Sequence, residues 1–542
     1  MLAAVPLAFL ALFFFYPLLS ILAVGLAPSA DGSVGQVLRD PYIAELFLFT
    51  AGQALVSTVL ALVVGLPASY VLGAYRFRGR SVFLALATLP FVLPTVVVAA
   101  ALLAVVGQSG VVNTLLGSVF GPNAPKLQLE NTVALIIMAH VFYNTPVVLR
   151  IMTTHWMTRD RRPEEAARLL GARPWQVWWR VRLPLALPSI LSSALLVAIF
   201  TFTSFGVVLL LGGARIATVE VEIYRQARNY FDLRTAAVLS ILQMIFMSAL
   251  MLVFARIDRA AAASGTPVVE LRRPRRVGER LAVGVTVAGL SLLLIAPLLM
   301  LALQSVTSHN GSFTLTFYAQ LFEHSRRAVL TAAPIESILQ SLLIAGVAVV
   351  LAVILGGLTA AALWRARGAT SAALNVIVLL PLSASAVLLG LGFVIALDEP
   401  PLNLRTAWIL LPIAHALVAI PLVVRSQSPA LRALSPETGE AAALLGAPPV
   451  TIWRRIYLPM ARAALIVGAL FAFTVSMGEF GATLFVSRPE WTTMPLAIYR
   501  LLGQPGASNY GQALALSTVL LGVCAIAYLG MERLRGEGQG GL

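Results

Sequence analysis

Long apolar runs recur along the chain, separated by short polar segments rich in arginine. The runs lie at about 1–27, 46–74, 81–106, 131–153, 185–211 and 235–256, and again at 281–304, 337–362, 371–397, 404–426, 460–486 and 512–531. A helix of about 20 apolar residues crosses the hydrocarbon core of a bilayer. The pattern therefore predicts an all-α membrane protein of about 12 transmembrane helices, six in residues 1–256 and six in residues 281–542. Residues 257–280 between the two sets are polar and rich in Ala, Gly, Pro and Arg, and are expected to form a linker without fixed structure. Met1 to Ala27 lacks the positive start of a signal peptide and is long for its apolar segment, so it is expected to remain as the first span.

The polar segments after the fourth and tenth runs are copies of each other. Glu165-Ala166-Ala167, Gly171, Val181 and Leu183-Pro184 recur as Glu440-Ala441-Ala442, Gly446, Ile456 and Leu458-Pro459, every pair 275 residues apart. The same offset pairs Pro174 with Pro449, Trp178 with Trp453 and Arg180 with Arg455. Upstream it pairs His140 with His415, Pro146 with Pro421 and Arg150 with Arg425. Downstream it pairs Phe205-Gly206 with Phe480-Gly481 and Ile223-Tyr224-Arg225 with Ile498-Tyr499-Arg500. Such an ungapped register marks a duplicated unit. Within each copy, Glu-Ala-Ala and the following leucines favour a helix. Gly171 and Gly446 permit a sharp break, and Pro174 and Pro449 suit the start of a second short helix. Each copy thus reads as helix, turn, helix, within 154–184 and 427–459.

Composition narrows the class. The chain is 59% hydrophobic and 11% charged, against about a quarter charged in soluble domains. Its net charge of +15 comes from arginines clustered between apolar runs, which is the positive-inside pattern and not a nucleic-acid surface. The clusters follow the even-numbered runs, among them Arg76-Phe77-Arg78, Arg161-Arg162, Arg272-Arg273 and Arg454-Arg455. Those loops, and both termini, are accordingly expected in the cytoplasm. Arg215, Arg225, Arg228 and Arg234 fall on the opposite side by parity. With an even number of spans per half, the halves share one orientation and a pseudo-twofold axis along the membrane normal.

Little in the sequence supports bond-making chemistry. Cys524 is the one cysteine and lies in an apolar run, the five histidines show no metal-ligand spacing, and the one lysine, Lys126, is not in a Gly-Lys-Ser/Thr tripeptide. No catalytic residue, metal or bound cofactor is expected of this chain.

The doubled Glu-Ala-Ala-x3-Gly-x9-Ile/Val-x-Leu-Pro stretch resembles the signature of permease subunits of bacterial ATP-driven importers. The resemblance implies two tandem six-helix halves of the type I importer fold in the bacterial inner membrane. It implies that each polar copy is a coupling helix docking on a separate ATPase. Glu165, Ala166, Ala167 and Gly171, with Glu440, Ala441, Ala442 and Gly446, become docking residues. The implied partners are two copies of the cytoplasmic ATPase, which would hold ATP and Mg, and a periplasmic or lipid-anchored solute-binding protein. The second copy departs from the first in placing Pro448 beside Pro449. Both halves in one chain are similar to the fused permeases of thiamine and ferric-iron importers. Gly107-Gln108-Ser109-Gly110, Ala139 to Pro146 and Thr218 to Tyr224 resemble thiamine permeases, whereas Gly478 to Thr483 and Thr493 to Tyr499 also resemble molybdate and sulfate permeases.

Several residues are candidates for a cargo path. Glu479 is a carboxylate near the end of an apolar run, where charge is costly and usually faces a cavity or a partner. It could attract a cation or serve as a hydrogen-bonded structural group, and its counterpart is Ser204. Phe202, Phe205, Phe473 and Phe480 could stack on a cationic or aromatic cargo or simply pack. Asn144 could face a cavity or relieve a kink at Pro146. His140 and His415 could line the axis or tie helices together. A secondary transporter of two parallel six-span halves is the rival class. Against it stand the paired polar repeat and the location of the clear acidic residues other than Glu479 in loops.

Overall fold

Proline and glycine set where the apolar helices start, widen and break. The computed structural model describes residues 3–27, 34–121, 125–262, 271–308, 311–323, 330–382, 384–398, 400, 402–434 and 436–535. Among these, eleven helices are long and apolar enough to span a membrane. In the first half they are Ala4–Leu26, Pro41–Ala74, Thr95–Phe120, Val133–Thr158, Pro174–Phe202 and Leu233–Asp258. In the second they are Val277–Ser305, Pro334–Arg365, Leu410–Arg432, Pro449–Gly478 and Ala507–Leu534.

Four expected spans differ from the continuous helices that hydropathy suggests. The run at 81–106 is broken after Arg80–Thr88 and a 3-10 turn, Leu89–Val92, and a new helix starts at Thr95. The run at 371–397 is likewise split into Gly368–Leu379 and Ala386–Ala396, so no single long helix stands at the ninth position. Pro90 and Pro94 explain the first break, because each removes a backbone donor and Pro94 also forces Leu93 out of the helical region. The runs at 185–211 and 460–486 break too, between Phe202 and Gly206 and between Gly478 and Gly481.

Among the described residues, four wide π turns recur as two symmetric pairs. Ala11–Phe15 and Ser291–Ile295 lie in the first span of each half, and Trp178–Arg182 and Trp453–Tyr457 lead into the fifth. Each ends two residues before a proline, at Pro17, Pro297, Pro184 and Pro459. A proline cannot donate to the carbonyl four residues back and its ring crowds it, and one extra residue in the turn relieves both problems.

Small residues let the spans within a half approach closely. Val148 fits the gap left by Gly65, where a Cβ would lie 2.6 Å from its methyl, and Val423 fills the equivalent gap at Gly356 at 2.7 Å. Between the halves, the helix Tyr16–Leu26 packs on Ala386–Ala396, and Ala296–Ser305 packs on Thr95–Val106. The first span of each half therefore lies against the broken third span of the other. The segment between the halves is more ordered than its composition suggests, on both sides of residues 263–270, which lie outside the described residues. The sixth span continues to Ala262. Beyond the gap, Arg272 pairs with the end of the second span, Arg76 N–H donating to Arg272 O at 2.8 Å and Arg272 N–H to Ala74 O at 3.1 Å.

Candidate functional site

The two polar copies fold into the same hairpin. In the first, helix Arg162–Leu169 turns at Gly171 into the short helix Pro174–Val177. In the second, Pro436–Leu444 turns at Gly446 into Pro449–Ile452. Ala172 N–H donates to Ala167 O and Ala447 N–H to Ala442 O, each at 3.0 Å. Gly171 N–H donates to Arg168 O and Gly446 N–H to Ala443 O. This is a Schellman-type helix end, which needs a left-handed residue after the helix. Gly171 and Gly446 supply it with φ of +82° and +84°. No atom lies within 4 Å of where a Cβ would sit on either, so the requirement is conformational and not spatial.

What the hairpins present is apolar. Leu169, Leu170, Leu444 and Leu445 are 88–90% exposed, more so than any other large hydrophobic residue described. Trp175, Trp179 and Val450 are exposed beside them. Glu165, Ala166, Glu440 and Ala441 are exposed as well, while Ala167 and Ala442 are half-buried where their carbonyls close the turn.

Beneath the first hairpin sits a buried ionic cluster. Glu164 accepts from Arg182 at 2.7 Å and faces Arg159 at 3.2 Å. Burial lowers the pKa of the Arg159 guanidinium, and the neighbouring Glu164 carboxylate offsets part of that shift.

At the centre of the molecule the two breaks in the fifth spans meet. Phe205 and Phe480, equivalent in the repeat, stack across the boundary between halves with centroids 5.8 Å apart and planes 27° from parallel. Tyr224 stands edge-on to Phe205 at 5.6 Å, and its equivalent Tyr499 lies 5.4 Å from Phe480. Both phenylalanines are buried, so these rings fill the axis. Gly206 brings the break against Thr95, and Gly481 brings its own against Ala386, with no room for a Cβ at either. All four helix breaks thus converge beside one ring stack. To one side of it a cavity of about 610 Å³ opens between the halves, lined by Glu130, Asn131, Leu135, Tyr499 and Arg500 among others.

The polar candidates tie helices together around this centre. His140 bridges Ser57 of the second span and Ser204 at the break, at 3.3 and 2.8 Å. His415 bridges Ser476 and Thr483 at 2.7 and 2.9 Å. Glu479 accepts from the backbone N–H groups of Ala482 and Thr483 at 2.9 and 3.0 Å and from the Thr483 hydroxyl at 2.6 Å. Its carboxylate therefore caps the helix Gly481–Val486. Asn144 donates to His140 O and Thr201 Oγ1.

Residues 65–263 match the family described as binding-protein-dependent transport system inner membrane component. The chain is 28% identical over 518 residues to the thiamine transport system permease protein ThiP of Escherichia coli (strain K12), covering 92% of this chain and 91% of that protein. It is 26% identical to the protein of the same name from Haemophilus influenzae (strain ATCC 51907 / DSM 11121 / KW20 / Rd), covering 97% and 94%. It is 25% identical to a probable ABC transporter permease protein, y4fN, of Sinorhizobium fredii (strain NBRC 101917 / NGR234), covering 86% and 83%. Residues 65–263 thus resemble that family, and the chain is similar along nearly its whole length to permease proteins of transport systems.

The fold brings some of the candidate residues together and separates others. Phe205 and Phe480 meet at the axis, with Ser204 and Glu479 immediately before them in sequence. Phe202 does not join them: it stacks on Phe246 at 4.6 Å and packs with Ile199, Met247 and Phe254 inside the first half. Phe473 is half-buried against the main core. The residues missed in sequence are Leu169-Leu170 and Leu444-Leu445. Their signal was present, as a Leu-Leu pair kept at the 275-residue offset within a polar segment, but leucines beside Glu-Ala-Ala read first as helix formers. Tyr224 and Tyr499 were visible as repeat positions, and only the fold places them beside the phenylalanines.

Proposed function

We propose that this permease is the membrane subunit of an ATP-driven importer for thiamine, with ATP and Mg held by a separate ATPase and cargo delivered by a binding protein. The observation that carries the coupling role is the pair of matched hairpins, each pushing a bare Leu-Leu pair away from the membrane helices. Exposed apolar clusters of this kind mark a partner surface. Two equal surfaces suit two copies of one ATPase, and the arginine pattern supports a cytoplasmic side for both. Glu165, Ala166, Ala167 and Gly171, and Glu440, Ala441, Ala442 and Gly446, would shape the docking helices, with the leucines as their knobs. Approach of the two ATPase subunits would draw the hairpins together and move the fifth spans, parting Phe205 from Phe480. Thiamine as cargo rests on similarity along nearly the whole chain to permeases named for it. A cationic, ring-bearing solute also suits a path of aromatic faces, since a ring attracts a cation by about 0.5–2 kcal/mol.

The test is growth of a strain lacking both thiamine synthesis and its own thiamine importer, given this permease with its cognate ATPase and binding protein. Rescue at low thiamine, lost when the ATPase is made hydrolysis-dead, is the expected outcome. No rescue by thiamine, with rescue of an iron-uptake mutant instead, would reassign the cargo to ferric iron.

A further inference from the structure

The hairpins are alike in backbone but are seated by different chemistry. Beneath the first, Glu164 on the hairpin helix joins Arg182 at the foot of the fifth span and Arg159 at the foot of the fourth. Arg182 also donates to the Tyr70 hydroxyl at 3.0 Å and lies over Trp178, and Arg159 lies over Trp156. The glutamate and both arginines are largely buried, the glutamate at 6% side-chain exposure. At the 275-residue offset, Arg159, Glu164 and Arg182 become Leu434, Gly439 and Tyr457. Beneath the second hairpin those residues make an apolar seat. The Tyr457 hydroxyl stands directly over Gly439, where a Cβ would lie 1.8 Å from it, and its ring packs on Trp364 and Trp453 at 5.2 and 5.4 Å. Leu434 and Tyr457 belong to one buried cluster with Ile452 and Ala461.

The three positions have thus changed together inside one chain. A glutamate at Gly439 would collide with Tyr457, and a tyrosine at Arg182 would remove the nearer of the two counter-charges of Glu164, leaving Arg159 alone. We propose that Glu164, Arg182 and Arg159 in the first half, and Gly439, Tyr457 and Leu434 in the second, are positioning residues that fasten each hairpin to its fifth span. They are two interchangeable solutions to one mechanical task. This inference rests on the reading that the hairpins dock an ATPase. The ionic seat transmits motion through directional bonds between buried charges, which fail together if one is removed. The apolar seat transmits it through contact of shapes.

The experiment uses the full permease co-expressed with its ATPase and binding protein and reconstituted in liposomes. ATPase retention on the purified permease, ATP hydrolysis and solute uptake are all measured. Glu164→Gln and Glu164→Gly are expected to retain the ATPase and still hydrolyse ATP, while uptake per ATP falls by about tenfold, because a buried pair broken on one side leaves its hairpin loose on the fifth span. The combined variant Glu164→Gly, Arg159→Leu, Arg182→Tyr, which places the three residues of the second seat at the equivalent positions of the first, beside Trp178 as the counterpart of Trp453, is expected to recover uptake per ATP to within about twofold of the unaltered permease, because the same three residues already pack together at 434, 439 and 457. Unchanged uptake per ATP in Glu164→Gln would overturn the positioning role. A combined variant no better than Glu164→Gly would overturn the equivalence of the seats. Failure of the unaltered permease to retain the ATPase would instead remove the docking reading, and this inference with it.

Discussion

Gly171 and Gly446 show how a single backbone angle can decide a surface. Both sit at left-handed φ in open space, so a methyl group costs only the conformational penalty, about 1–2 kcal/mol. Asparagine tolerates this region better than alanine, and proline cannot adopt it and also forfeits the N–H that bonds to Arg168 O or Ala443 O. Retention of the proposed ATPase by the detergent-purified protein is therefore expected to fall in the order Gly, Asn, Ala, Pro at either position, with membrane insertion unchanged. Full retention by the proline variants would show that the turn does not shape the docking surface. The glycine was legible in sequence because a helix followed by Gly and then Pro has few other readings. Glu479 was legible as a costly charge but not in its local task. That depended on a helix restarting at Gly481, within reach of its oxygens, and apolar sequence does not announce such a break.

At the level of elements, hydropathy located the spans and hid their interruptions. The residues around the break near Pro94 are as apolar as the helices they interrupt, marked only by Pro90 and Pro94, and the break near Thr203 is marked only by Thr201, Thr203, Ser204 and Gly206. The wide turns were equally hidden, although each is followed by a proline at a fixed distance. That regularity supports an experiment on Pro184, which follows the turn Trp178–Arg182. Replacing it with alanine restores a donor and removes the ring clash, favouring a regular helix with one residue fewer in that turn. One residue is about 100° of rotation. The hairpin would then be turned relative to the fifth span, and Pro184→Ala is expected to lower transport at least several-fold with helix content unchanged by circular dichroism. Wild-type transport would mean that the wide turn has no part in aiming the hairpin.

Across the whole molecule, the repeat made two equivalent halves legible, but their meeting point was not. Phe205 and Phe480 are 275 residues apart, and no local pattern says that equivalent residues touch. They touch because each lies at a break in a fifth span and the breaks of both halves converge on the pseudo-twofold axis. A stacked aromatic pair contributes about 0.5–1.5 kcal/mol beyond its buried area, a barrier modest enough for closure of the proposed ATPase to overcome. Tyr224 and Tyr499 brace the pair from either side. If these rings are the constriction, truncating one should leave the other and its tyrosine partly filling the gap, whereas truncating both should open it. Phe205→Ala with Phe480→Ala is therefore expected to release a small polar dye from liposomes without ATP, faster than either single variant, and to leave ATP hydrolysis without stimulation by the loaded binding protein. Tight liposomes with the double variant, correctly folded and still bound to the ATPase, would move the constriction elsewhere on the axis. Equal leaks from the two single variants would follow from the symmetry of the pair, because each ring has the other and one tyrosine as its aromatic neighbours.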